Sequence, residues 1–447
     1  MTLETPVAQL PAPPGPSAPV FLQTMLFGYG RHRMLPVWRR RYGDVFRLRI
    51  FPERNVVVLA DLADIKSVFG GPASTFHAGK GNMILKPMMG EHSVLLTDEG
   101  EHLRARKLLM PAFNGTALRG YRDLVTELAE REISRWPSGV AFRSHARMQA
   151  LTLEVILRVV FGVAEGPRLE ELRGLLTRLL DIGPLDLWGW HDERLQRHGR
   201  WRRNAEGQAR VDELIYAEIA ERRTAGDLGS RTDVLSRLLT VTVDGDALTD
   251  AELRDQLITL LLAGHETTAT ALGWAFHELA RDPVTLARAT EAADSGADAY
   301  LEAVAKESMR LHPVLSEVAR VVTEDVRIGD YLIPAGHAVL PSILLVQHDP
   351  AHHDDPGVFR PERFLDGGPP AGTWFPFGGG VRRCLGAGFS LMEATAVLRA
   401  VLTRFHLAPD RARREHTEPR HITLVPGRGA RIVVTPRSHL LSNRNQR

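Results

Sequence analysis

The sequence has one cysteine, Cys384, in 447 residues. A single thiol excludes an internal disulfide and any zinc site built from several thiolates. It leaves a buried structural thiol, a nucleophile or one metal–sulfur bond. Long apolar runs are also missing. The longest, around Leu257 to Gly264, is interrupted by Thr259 and falls short of the ~20 residues a helix needs to cross a bilayer, so no transmembrane helix is expected. An excess of either charge is missing too: 56 basic residues stand against 54 acidic ones, without the basic concentration a nucleic-acid binder would show. Lysine occurs only at positions 66, 80, 86, 107 and 306; arginine supplies the other basic residues, a bias of high-GC bacterial coding that says nothing of mechanism. The N-terminal LPAPPGPSAP places prolines where a secretion signal has its apolar core, so the chain is expected to be cytoplasmic.

What is present reads as mainly α with small β-sheets, in one large domain. A Pro-rich arm (1–18) precedes the folded part (19–437), and a polar tail (438–447) follows it. VFRLRI and NVVVLA read as two strands joined by the turn FPER. From about Asp98 to residue 312 apolar residues recur at three- and four-residue steps, the helical period. Thr249 and Asp250 are candidate N-caps for a helix from about Ala251 to Arg281, stopped by Asp282-Pro283; at around 30 residues it would span about 45 Å. Past Pro313 strands and turns return. No internal repeat and no dividing linker is visible.

The chemistry concentrates in FPFGGGVRRCLG, Phe375 to Gly386. Three glycines permit tight turning and a close approach to a flat ligand. The helical period of AGFSLMEATAVLRAVLTRF puts Cys384 at or just before a helix N-terminus, where amide N–H groups favour a thiolate. A P-loop would need a lysine that is absent, and Gly386 to Leu391 forms only a broken dinucleotide fingerprint. In Ala263-Gly264-His265-Glu266-Thr267-Thr268, His265-Glu266 opens a zinc-protease motif, but position 269 is alanine where a second histidine is required.

The spacing Phe377-x-x-Gly380-x-Arg382-x-Cys384-x-Gly386 resembles the haem-ligand loop of the cytochrome P450 family at every fixed position. Four further segments agree in order. Ala263 to Thr268 resembles the oxygen-binding helix segment; Glu307-Ser308-Met309-Arg310, followed by Leu311-His312-Pro313, resembles the Glu-x-x-Arg pair; Phe359 to Phe364 is similar to the element that completes a Glu-Arg-Arg network; and Glu101 to Arg106 resembles a helix flanking the haem. The resemblance spans roughly residues 35–435 and implies the P450 fold.

By that resemblance Cys384 is the axial ligand of haem b iron, Phe377 shields the sulfur, Gly386 closes the loop, and Arg382, His102, Arg106 and Arg320 reach the propionates. Ala263 and Gly264 leave space in front of the iron. Glu266 and Thr267 relay protons, Thr267 reaching back one turn to Ala263. Glu307, Arg310 and Arg363 form a structural network. Ile258, Leu261, Leu262, Val314, Leu315, Val318 and Leu424 are expected to line an apolar substrate pocket, with Glu317 either a polar anchor or turned outward and His265 facing a neighbouring helix or the pocket. The implied activity is O2-dependent insertion of one oxygen atom into an apolar or amphipathic molecule of terpenoid, fatty acyl or polyketide type by a monomer. Electrons would come from a separate ferredoxin or flavodoxin with its reductase, docking on Arg104, Lys107, Arg382 and Arg383. A peroxide-driven peroxygenase and a non-catalytic haem sensor are the alternatives.

Overall fold

Thr249 starts the long helix with a reciprocal pair of hydrogen bonds: the Glu252 N–H donates to Thr249 Oγ1 at 3.2 Å, and the Thr249 N–H donates to Glu252 Oε2 at 2.8 Å. Such a cap stabilises a helix by about 1 kcal/mol. In the computed structural model, which describes residues 10–51, 55–162, 166–179 and 194–437, the helix runs unbroken from Asp250 to Leu279. It stops because Asp282 turns its carboxylate onto the N–H groups of Val284 and Thr285, capping the next helix with Pro283 in its first turn. The polar tail, the first nine residues of the arm and positions 52–54 of the FPER turn lie outside the described residues.

The helices that position the site are, in chain order, α1 (Val20–Tyr42), α2 (Leu62–Gly70), α3 (Glu99–Leu109), α4 (Ser144–Phe161), α5 (Asp250–Leu279), α6 (Asp298–Leu311) and α7 (Ala387–Arg404). The long helix α5 is buried along most of its length and packs most extensively against α4. Five short strands, β1 (Val45–Leu48), β2 (Val56–Leu59), β3 (Phe76–His77), β4 (Arg320–Val322) and β5 (Ala338–Pro341), form a sheet in the order β1-β2-β5-β4-β3. The expected hairpin is β1–β2, antiparallel with Val45 opposite Leu59; β2 and β5 pair in parallel. The two-residue alternation of a strand sorts β2 into two cores: Val56 and Val58 pack with Leu35 and Trp38 of α1, Val57 and Leu59 with Ile65 and Val68 of α2. A second sheet joins 142–143, 405–409 and 431–436, and a separate hairpin pairs 417–420 with 423–426.

Helical structure begins far earlier than Asp98. Helix α1 escaped the periodicity test because its buried face includes Gln23 and Arg31 and its interior contains Pro36. Backbone outside the helix satisfies those polar groups: Gln23 Nε2 donates to Ala18 O at 2.6 Å, Gln23 Oε1 accepts from the Arg49 N–H at 2.8 Å, and Arg31 donates to His421 O and Thr423 O. The described part of the arm is tied to the folded part by backbone bonds, Pro14 O accepting from the Arg47 N–H and Pro11 O from the Leu332 N–H.

Candidate active site

The Cys384 loop is folded by its own backbone. The Cys384 N–H donates to Phe377 O at 2.9 Å, the Gly378 N–H to Phe375 O at 2.9 Å and the Arg383 N–H to Gly380 O at 3.1 Å, which brings Phe377 back beside the thiol. Phe377 meets Trp374 edge to face, ring centroids 5.9 Å apart, and Trp374 Nε1 donates to Lys306 O. Helix α7 begins three residues after Cys384, with Gly386 as its N-cap. A Cβ on Gly386 would stand 4.0 Å from Cys384 Sγ, and the Gly386 N–H favours the thiolate. Cys384 is solvent-accessible, yet the protein enclosing its sulfur pushes the thiol above its ordinary value, against Gly386, Arg106 and Arg383, which lower it. The helix terminus alone therefore does not make a thiolate here. A cation bonded to the sulfur would.

Two of the three glycines also press closely on protein. A Cβ on Gly379 would stand 2.4 Å from the Phe69 ring, and one on Gly380 2.0 Å from Phe69 O; Gly380 also has φ +65. These positions let the loop press against the C-terminal end of α2, so their immediate role is packing between protein segments.

On the other side of the site α5 exposes a narrow stripe. Ala263 is exposed and Leu260, Gly264 and Thr267 are half-buried, although Leu257, Ile258, Leu261 and Ala269 are fully buried. The steps of three, four and seven are one helical face. Ile258 and Leu261, expected in the pocket, have no exposed surface and belong to the main core; Leu262, 7% exposed, joins them. Of the three consecutive leucines 260 to 262, Leu260 is the half-buried one, a difference the uniform apolar run concealed. Gly264 also has a packing role: a Cβ there would lie 3.0 Å from Ile156 Cδ1, so this glycine lets α4 and α5 approach.

Thr267 Oγ1 donates to Ala263 O at 2.9 Å, the expected one-turn reach, while α5 stays helical through the segment. Glu266 turns toward α4. Gln149 Nε2 donates to Glu266 Oε2 at 2.5 Å, and His145 Nε2 lies 3.7 Å from Oε1. Burial raises the carboxyl above its usual range, and Gln149 and Arg420 offset part of this. His265 is buried against α4, where its carbonyl accepts from Thr152 Oγ1; burial lowers its imidazole to about 4. Sequence reasoning missed Gln149 and His145, which lie more than a hundred residues away in the chain and carry no local motif.

Four basic side chains gather on one flank. Arg382 donates to Val94 O at 3.1 Å and also to Thr97 O and Asp98. Arg320 donates to Ala319 O and lies over the Phe69 ring; burial and neighbouring Arg382 lower it to about 10. His102 is buried and lowered to about 4, by burial first and then by Arg382 and Arg106. Arg106 is lowered by burial and couples to Cys384 and Arg383. Three guanidinium groups and an imidazole that depress one another, with Asp98 as the acid among them, suit an anionic ligand edge. Together with the thiol and the accessible stripe of α5, they fit a flat dianionic macrocycle with an axial sulfur ligand.

The structural network assembles as expected. Arg310 is bidentate on Glu307, Nε to Oε2 at 2.7 Å and a terminal nitrogen to Oε1 at 2.9 Å. Arg363 Nε reaches Glu307 Oε1 at 3.2 Å, and Arg310 also donates to Gln347 O, Pro356 O and Val358 O. Glu307 and Arg310 have no exposed surface.

Val314, Leu315 and Val318 are half-buried, on the segment tied to the C-terminal hairpin by the Leu424 N–H to Val314 O bond and to β5 by the Val318 N–H to Pro341 O bond. Leu424 is only 2% exposed and borders a cavity beside α1. Glu317 is neither an anchor nor turned outward: it faces Arg31 of α1 at 3.6 Å, and burial raises its carboxyl. Arg104, also expected on the docking surface, is ion-paired with Asp246 and Glu252, which offset its charge.

One further acid had no sequence signal. Glu393 on α7 is 1% exposed, neither carboxylate oxygen makes a well-formed hydrogen bond, and burial pushes it up to about 8, offset in part by Thr268. Thr268, next to Thr267, pairs with Ser390 Oγ at 3.1 Å and so ties α5 to α7.

A helical fold in which one lone thiol, ahead of a helix, shares a site with a basic cluster and an acid–alcohol helix defines a haem-thiolate protein. The chain matches the Cytochrome P450 family model over residues 13–432 and belongs to that family. It is 48% identical over 431 residues to cytochrome P450 135A1 of Mycobacterium tuberculosis, covering 96% of each chain, and 43% identical to cytochrome P450 135B1 of Mycobacterium bovis, covering 94% of this chain and 91% of that one. In fold it is similar to a cyanobacterial CYP120A1 solved with retinoic acid bound (TM-score 0.83, 22% identity, 96% of this chain and 100% of that one) and to the cytochrome P450DA haem domain (TM-score 0.84, 23% identity, 96% and 98%). The protein is a haem b monooxygenase that uses O2, a small-molecule substrate and a redox partner. No helix among the described residues is long and apolar enough to cross a membrane.

Proposed function

We propose that this monooxygenase oxidises an apolar or amphipathic small molecule of terpenoid, fatty acyl or polyketide type, with electrons from a separate ferredoxin or flavodoxin and its reductase. The observation that carries the substrate class is the accessible stripe of α5, whose exposed and half-buried members Leu260, Ala263, Gly264 and Thr267 offer hydrocarbon and one hydroxyl. Half-buried Val314, Leu315 and Val318 extend the same chemistry.

Cys384 would hold the iron, with Arg382, Arg320, Arg106 and His102 on the propionate edge. The haem, when bound, supplies dioxygen activation and oxygen transfer. The protein's part is to hold the sulfur, exclude water and deliver protons. Glu266, raised by burial, keeps a proton at pH values where an exposed glutamate has lost it. Thr267 Oγ1 holds its own proton on Ala263 O and can accept one from the Glu266 side. Exposed Lys107 and Arg383, with exposed Leu103, Met110 and Val381 near them in the chain, form a mixed basic and apolar surface suited to an acidic electron donor. The chain is read as a monomeric cytoplasmic protein whose single folded unit spans residues 19–437.

The test is the coupling of oxygen use to product in Thr267→Ala, with a substrate chosen by its spin-state shift. Product formation should fall on the order of a hundredfold while electron consumption continues. Unchanged coupling would remove Thr267 from the proton path. Turnover supported better by peroxide than by ferredoxin would favour the peroxygenase reading, and no product from any spin-shifting ligand would favour the sensor.

A further inference from the structure

Helix α1 contains no aspartate or glutamate in its 23 residues but five arginines, at 31, 33, 39, 40 and 41. Two are used internally: Arg31 bonds Ser316 and faces Glu317, and Arg39 pairs with Asp44 and Asp349. Arg33 and Arg40 are exposed and make no ion pair among the described residues. They share one stripe of the helix with Phe21, Leu22, Met25, Tyr29 and Val37, at three- and four-residue steps. The large side chains of that stripe are unusually open: Phe21 is 75% exposed, Tyr29 62%, Leu22 46% and Met25 41%. Phe51, 60% exposed, is held beside the first turns of α1 because its N–H donates to Thr24 Oγ1 at 3.0 Å. Arg49 adds a cation at the same end, donating to Ala18 O. The result is a convex apolar surface, aromatic at one end and basic along the other, with no carboxylate on its helix.

We propose that this face of α1, with Phe51, docks the protein on a bilayer surface containing anionic lipid. A protein partner would be expected to meet a groove or a flat polar rim. Here the aromatic side chains protrude singly from a convex helix, the geometry that inserts at headgroup depth, and the arginines lie where phosphate groups would stand. No helix among the described residues is long and apolar enough to cross a membrane, so the association proposed is peripheral and reversible, and it would let an apolar compound partition from lipid to the enzyme.

The test is sedimentation of the full-length holoprotein with vesicles of phosphatidylcholine alone or with phosphatidylglycerol added. Wild type should pellet with the mixed vesicles and much less with the neutral ones. Arg33→Gln and Arg40→Gln should each weaken partitioning about fivefold at low salt. Phe21→Glu/Phe51→Glu should return it to the vesicle-free level with the carbon monoxide spectrum and gel-filtration volume unchanged. Failure to pellet with mixed vesicles, or equal pelleting of the double variant, would overturn the proposal. So would a wild-type dimer that this variant dissociates, which would assign the face to a second copy of the chain.

Discussion

Gln149 on α4 donates to Glu266 on α5 at 2.5 Å and so holds that carboxylate toward α4, while the adjacent Thr267 hydroxyl is bonded within its own helix. The acid and the alcohol therefore do not contact one another in this arrangement, and proton delivery requires Glu266 to exchange partners or to act through water.

Gln149→Leu removes the larger of the two influences that lower the Glu266 carboxyl, leaving Arg420 alone against burial. A lost hydrogen bond to a charged group amounts to about 1.5–3 kcal/mol, or about one to two pH units. Because a proton donor is lost as pH rises through its own titration, the alkaline limb of the product-formation profile should move up by that amount, with haem content unchanged. An unshifted limb would mean that Glu266 does not govern it.

Gly380→Ala should be far more damaging than Gly378→Ala, although both glycines have left-handed backbone, φ +65 and +67. That conformation costs a non-glycine residue about 1–2 kcal/mol at either position. Only at Gly380 does the new methyl also meet backbone, 2.0 Å from Phe69 O, whereas at Gly378 its nearest neighbour is Val318 at 3.9 Å. Haem incorporation should fall sharply in the first variant and remain mostly intact in the second.

Glu307→Gln leaves Arg310 buried without its counter-charge. Loss of one partner of a buried pair destabilises by about 3–5 kcal/mol. Urea denaturation of the variant should show a drop of that order. A change under ~1 kcal/mol would place the energetic weight on the carbonyls that Arg310 also contacts.

Glu393 is pushed up to about 8 by burial, so the folded protein holds that proton more tightly than the unfolded chain does. Its contribution to stability is complete below the ordinary glutamate range and is lost as pH rises through about 8. Glu393→Gln, neutral at every pH, should match wild type in mild acid and exceed it in mild alkali, measured by thermal melting across that range. Parallel curves would show that the acid is not held protonated.

The elements that could be read in advance are those whose determinants lie close together in the chain. The Thr249–Glu252 cap, the Phe377–Cys384 spacing, the Glu307–Arg310 step and the β1–β2 hairpin each depend on a few residues at fixed covalent separation, so residue type and spacing state them directly. Helix α1 was concealed because its buried Arg31 and Gln23 look like surface residues until their partners at Ser316 and Arg49 are known.

By itself the sequence determined the thiol loop and the long helix carrying Glu266 and Thr267, and through their spacing the family. Tertiary structure decided which side of each element faces what. It left Leu260 half-buried while burying Ile258 and Leu261, set Gly379 and Gly380 against Phe69, and turned Glu317 to Arg31 and Arg104 to Asp246. The physical reason is that a run such as Leu260–Leu262 is equally apolar on every face, and only packing against α4 on one side selects the stripe left open on the other.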